Sequence, residues 1–126
     1  MAREDNGVLI AEGVRDFDLD NIFDCGQCFR WEKTADGMYA GTAHGRVAVM
    51  EYDSDAGVLK LHGADEDDYR NIWHHYLDLD RDYSEIKKQL SCKDEVIAKA
   101  IEYGPGIRIL NQDKWETLIS FIISQN

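Results

Sequence analysis

The stretch MYAGTAHGRVAVMEYDSDAGVLKL, residues 38–61, decides the fold class. It holds three short runs of strand-forming residues: Met38 to Thr42, Arg46 to Tyr52 and Gly57 to Leu61. His44-Gly45 and the Asp53-Ser54-Asp55-Ala56-Gly57 segment separate them, and Asp36-Gly37 precedes the first. Asp-Gly pairs and Asp/Ser/Gly clusters supply turn geometry at low steric cost. Strands at this spacing, joined by turns, predict an antiparallel meander.

Working outward, Gln27 to Lys33 and Val8 to Ala11 read as further strands. Between them, Leu19, Ile22 and Phe23 have the i, i+3, i+4 spacing of a short helix over Asp18 to Asp24. The pattern changes near Gly63. Tyr69, Ile72, Trp73 and Tyr76 recur at helical spacing over Asp65 to Leu77, behind the acids Asp65, Glu66, Asp67 and Asp68, which suit a helix N-terminus. A second helix is predicted over Tyr83 to Leu90, and a third from Ser91 as N-cap through Ile101, stopped by Gly104-Pro105-Gly106. The fold class is therefore α+β. The sheet region covers residues 1–63 and a helical segment covers 64–126.

The last helix starts at Asp113, with Glu116 three residues on as an acidic capping box. Trp115, Leu118, Ile119, Phe121, Ile122 and Ile123 are too many large apolar residues for one exposed stripe. The sequence predicts burial of this helix against more structure: the opening of a second domain, or a partner chain, including a dimer formed through this helix.

The 126 residues carry 14 Lys/Arg against 25 Asp/Glu, a net charge of −11. Neither the first 63 residues nor the remainder is basic, so the phosphate-neutralising surface of a nucleic-acid binder is not visible here. No apolar run is long enough for a membrane span, and the polar start lacks a secretory core. Three cysteines fit a reducing compartment, and the expectation is a cytoplasmic protein, nucleoid-associated in a bacterium.

Cys25-Gly26-Gln27-Cys28 admits a redox pair or half a zinc site, but it precedes a strand rather than opening a helix. His74 and His75 are adjacent and face different sides of a helix, and Cys92 stands alone. Packing at a turn explains Cys25 and Cys28 better. There is no P-loop, dinucleotide fingerprint or Ser-His-Asp order. No metal and no cofactor are expected.

Two segments nevertheless resemble one family. Asp18-Leu19-Asp20 through Cys25-Gly26-Gln27-Cys28-Phe29-Arg30-Trp31 resembles the signature opening the N-terminal domain of 8-oxoguanine DNA glycosylases. Gly106-Ile107-Arg108-Ile109-Leu110-Asn111-Gln112-Asp113, with Trp115 through Asn126, resembles the linker and first helix of that family's helix-hairpin-helix domain. Tyr76-Leu77-Asp78-Leu79-Asp80 resembles the approach between them. The resemblance implies a twisted antiparallel sheet with packed helices, similar to half of the TATA-binding-protein fold, followed by the start of the catalytic domain. It implies a bifunctional glycosylase and abasic-site lyase that flips 8-oxoguanine out of duplex DNA and attacks the sugar with a lysine amine. That lysine and an assisting aspartate fall after Asn126 in the family pattern. No catalytic residue is assigned here, and this chain alone is expected to be inactive.

Two substrate-binding positions carry over by the resemblance. Gly26 matches the glycine whose carbonyl reads the lesion N7–H, and Asn126 matches the asparagine that fills the gap opposite the orphaned cytosine. The pattern departs at Lys114, where the family more often has proline, and at Cys28, whose counterpart is often serine. Two other readings of the residues stand beside this one. One is a non-enzymatic interaction module using the acidic surface and the apolar last helix. The other is a small redox or zinc protein using Cys25 and Cys28.

Overall fold

The computed structural model describes residues 1–125. Six strands form one antiparallel sheet: β1 (Ala2–Asp5), β2 (Val8–Glu12), β3 (Trp31–Lys33), β4 (Tyr39–Ala43), β5 (Arg46–Asp53) and β6 (Val58–His62), in the order β1-β2-β6-β5-β4-β3. The meander over residues 38–61 is present as β4, β5 and β6. Its first turn has His44 at φ 49° and Gly45 at φ 75°, the double positive φ of a turn whose twist matches its strands. Alternation selects one face: Leu9, Ala11, Tyr39, Ala43, Ala48, Met50, Leu59 and Leu61 are buried, while Val47 between them is exposed. Register joins this face across strands, with Met50 opposite both Tyr39 and Leu61, and Leu61 opposite Leu9. Each fully buried Leu or Met contributes on the order of 1.5–3 kcal/mol.

The helices are α1 (Leu19–Phe23), α2 (Glu66–Asp68), a π-helical segment (Tyr69–Trp73), α3 (His74–Tyr76), α4 (Tyr83–Ser91), α5 (Glu95–Tyr103) and α6 (Lys114–Ser124). Asp18 caps α1 by accepting from the Asn21 amide at 2.7 Å, and its Ile22 and Phe23 drop onto the sheet. Phe23 stacks on Trp31 with ring centroids 4.4 Å apart. The core runs past residue 63, since Trp73, Tyr76, Leu77 and Leu110 belong to it. Among the described residues, no helix is long and apolar enough to cross a membrane.

Four local expectations are corrected. Residues 2–5, polar and with no element expected, form β1, because Asn6 at φ 51° and Gly7 at φ 77° turn the chain back onto β2. The strand expected over Gln27 to Lys33 is confined to Trp31–Lys33, and Gln27 instead bonds the 106–112 linker through its side chain. Ser91 ends α4 rather than capping α5. Asp94 is the cap, with its carboxylate accepting from the Val96 and Ile97 amides. The helix expected over Asp65 to Leu77 is interrupted by a π-helical turn that ends at the fully buried Trp73.

Candidate functional site

The segment leaving α1 carries the loop Cys25–Arg30. The Cys25 thiol donates to the Ile22 carbonyl at 3.4 Å and the Cys28 thiol to the Phe23 carbonyl at 3.9 Å. Both sulfurs hang on consecutive carbonyls at the C-terminal end of a helix. That end disfavours a thiolate, the reverse of the N-terminal setting of reactive cysteines. Burial pushes the Cys28 thiol up to about 11, with Cys25 adding in the same direction. Among the described residues, no group of three or more His, Cys, Asp or Glu is placed to hold a metal.

Gly26 sits at φ +86°, in the left-handed region that favours glycine. A Cβ built there meets nothing within 4 Å, so it is the backbone conformation, not crowding, that selects glycine. Its carbonyl accepts no hydrogen bond among the described residues. Asn126, the other expected substrate-binding residue, lies outside the described residues.

Gln27 fixes the loop. Its side-chain amide nitrogen donates to the Ile22 carbonyl at 2.9 Å and to the Arg108 carbonyl at 2.8 Å. Its side-chain oxygen accepts from the Leu110 amide at 3.0 Å. The Gln112 side chain donates back to the Gln27 backbone carbonyl. The linker is itself anchored from below. Arg108 is 4% exposed and donates to the carbonyls of Arg15 at 2.7 Å, Asp16 at 3.1 Å and Asp78 at 2.7 Å. Its guanidinium lies 4.4 Å from the Tyr83 ring centroid. Gly106 closes against α1. Its nitrogen donates to Asn21 Oδ1 at 3.2 Å, its carbonyl accepts from the Asp18 amide at 3.1 Å, and a Cβ there would overlap Asp18.

Beyond Gln27 the loop meets α6. Phe29 packs edge-to-face on Phe121 with centroids 5.1 Å apart, and Arg30 pairs with Glu116 at 2.7 Å. His44 contacts the Asn111 carbonyl at 3.1 Å from the β4–β5 turn. Phe29, Arg30, His44, Tyr76, Gln112 and Phe121 thus line a cleft between loop, turn and helix. Its floor is the buried bond from Trp31 Nε1 to the Tyr76 hydroxyl, 2.9 Å. The far face of α6 is open, with Trp115 71% and Ile123 68% exposed.

The residues that hold the Gly26 loop, namely Gln27, Arg108 and Gln112, were not singled out by the sequence. Arg108 had a visible signal: it is the one charge within the apolar run Ile107–Leu110. Gln27 had only its place in the motif beside Gly26.

Comparison with known proteins identifies the family. Residues 9–118 match the family described as 8-oxoguanine DNA glycosylase, N-terminal domain. A solved structure of MBOgg1 in complex with a low-affinity DNA ligand superimposes with TM-score 0.94 at 46% identity, covering 100% of this chain and 43% of that one. The Clostridium acetobutylicum 8-oxoguanine glycosylase/lyase in its apo form also gives TM-score 0.94, at 43% identity over 100% of this chain and 43% of its own. The same enzyme in complex with double-stranded DNA containing cytosine opposite 8-oxoguanine matches equally well in TM-score and identity, with 42% of that chain covered. This chain therefore spans less than half the length of these relatives. The α+β architecture and these matches together place the chain in the 8-oxoguanine DNA glycosylase family, as a bearer of its N-terminal domain.

Proposed function

We propose that this chain is the lesion-reading portion of a bifunctional 8-oxoguanine DNA glycosylase/lyase, acting in base-excision repair of oxidised guanine in duplex DNA. The observation that carries the reading is the Gly26 carbonyl, which accepts no hydrogen bond among the described residues and sits in a loop pinned by the Gln27 side chain. Guanine presents a lone pair at N7, whereas 8-oxoguanine presents a hydrogen there. A carbonyl at Gly26 accepts from the lesion and opposes guanine lone pair to lone pair, a difference of about 1–3 kcal/mol. Asn126 fills the gap left by the flipped base.

The relatives' longer chains support placing the nucleophilic lysine, its aspartate and the phosphate-gripping surface outside these residues. On that division, residues 1–63 form the sheet domain and residues 64–126 lead into the catalytic one. The net charge of −11 is compatible with a portion that reads the base and leaves the phosphates to another. The protein acts in the cytoplasm, at the nucleoid in a bacterium.

The test is fluorescence anisotropy with duplexes bearing 8-oxoguanine or guanine opposite cytosine. Weak binding with a preference for the lesion is expected, and equal affinity for both duplexes would refute the reading. Borohydride added to the lesion duplex is expected to trap no covalent complex with this chain. A trapped amine adduct would place the chemistry within residues 1–126.

A further inference from the structure

Lesion reading leaves Cys25 and Cys28 without a task. Their sulfurs sit at one end of α1, on the carbonyls of the adjacent residues Ile22 and Phe23, at 3.4 and 3.9 Å. Adjacent residues have Cα atoms about 3.8 Å apart, so both sulfurs are anchored to one short piece of backbone. The thiols also feel each other, since Cys25 opposes ionisation of Cys28. A thiol is a weak donor, so leaving either carbonyl costs little. The third cysteine, Cys92, stands apart at the end of α4.

Exposure divides the pair. Cys25 is exposed and Cys28 is half-buried. A reagent from solution therefore meets Cys25 first, and Cys28 is met from within the chain.

We propose that Cys25 and Cys28 form a thiol–disulfide modification site for low-molecular-weight disulfides, with Cys25 attacking first and Cys28 closing the bond. In the first step the Cys25 sulfur attacks one sulfur of the small disulfide. That S–S bond breaks, a mixed disulfide forms on Cys25, and one small thiol leaves with the proton Cys25 gave up. In the second step the Cys28 sulfur attacks the Cys25 sulfur. The mixed bond breaks, the Cys25–Cys28 bond forms, and the second small thiol leaves with the proton of Cys28. The chain loses two hydrogens and is oxidised, and the small disulfide is reduced to two thiols.

The setting that is wrong for a fast redox catalyst suits a bond that lasts. A reducing thiol that attacks the exposed Cys25 sulfur must expel Cys28. Burial, with Cys25 adding to it, pushes the Cys28 thiol up to about 11, and a sulfur of high pKa is a poor leaving group. The same property slows closure, so the bond records sustained exposure to disulfide. The ring it closes contains Gly26 and Gln27, which places the modification on the loop that carries Gly26.

Cys92→Ser in the 126-residue chain, incubated with oxidised glutathione and followed by intact-mass spectrometry and peptide mapping, tests the site. The expected sequence is a transient adduct with one glutathione, then a product without glutathione that lacks two hydrogens and maps to a 25–28 link. With Cys28→Ser added, the reaction should stop at a stable adduct on Cys25. With Cys25→Ser added instead, uptake should be about tenfold slower, because the remaining thiol is shielded. Serine is close to cysteine in size, and the two single replacements serve as independent checks should one fail to fold. Stable adducts on both cysteines without a link overturn the proposal, as do equal uptake by the two variants and an unreactive chain. A link whose rate rises in step with the unfolded fraction in urea belongs to the unfolded chain and overturns it too.

Discussion

Arg108→Ala is expected to be the costliest single truncation in the linker. The guanidinium is 4% exposed and its three bonds end on backbone carbonyls of Arg15, Asp16 and Asp78, in two segments distant in the chain. Hydrogen bonds from a charged donor contribute roughly 1.5–3 kcal/mol each. A plain sum overstates the loss, because the free energy spent on desolvating the cation is recovered when it is removed. Contact with the Tyr83 ring adds about 1 kcal/mol at a partly buried site. Leaving buried carbonyls unpaired after deleting their charged partner places the net cost at about 3–5 kcal/mol. Against a total stability of roughly 5–15 kcal/mol, that is a large fraction. Urea denaturation followed by tryptophan fluorescence measures it as a lower midpoint at constant m-value. Arg108→Lys keeps the charge but not the planar fork, and should recover less than half of the loss. A cost below about 1 kcal/mol for Arg108→Ala would show that these carbonyls find other partners, and would refute the view that Arg108 ties the linker to the sheet.

Gly106→Ala places a methyl into Asp18 and should release the linker from α1, destabilising the chain by about 2–4 kcal/mol and speeding hydrogen exchange at the Asp18 amide; slow exchange at Asp18 in this variant would contradict the contact. Burial would raise the Asp16 carboxyl, but bonds from Lys87 and Ser84 and the charges of Lys87 and Arg108 outweigh it and hold it below the usual carboxylate range. Since the folded value is the lower one, its stabilisation is complete above the unfolded value near 3.8 and is lost as pH falls through the folded value. Asp16→Asn should therefore flatten the acid limb of a stability–pH curve, and an unchanged limb would exclude this carboxylate. Trp115→Glu with Ile123→Lys should reduce binding of a hydrophobic dye and any self-association, with a stability change within roughly 0.5 kcal/mol, because both side chains are exposed in this chain; a large loss of stability would mean that they pack within it.

The strands β4 to β6 were legible because one buried face writes itself into sequence as alternation, and turns need particular residues. The cap of α6 was legible for the same local reason: Asp113 accepts from the Glu116 amide at 2.8 Å, three residues away. The position of Gly26 was legible as a motif. Its left-handed conformation, φ +86°, was not, since the motif does not display a backbone angle. The missed β1 shows a local signal left unused, the Asn6-Gly7 pair between two extended runs. The misplaced cap of α5 shows local ambiguity, because Ser91 and Asp94 both precede apolar helical residues and only backbone geometry separates them. By itself, then, the sequence determined the meander, the helical second half and the family, all of which rest on neighbours within a few residues or on motif order. Only the tertiary structure decided that Gln27 reaches Arg108 and Leu110 more than eighty positions away, and that Arg108 reaches back to Arg15 and Asp16. Those bonds join polar groups brought together by burial of the shared core, and hydrogen bonds between distant residues leave no periodicity for a single sequence to display.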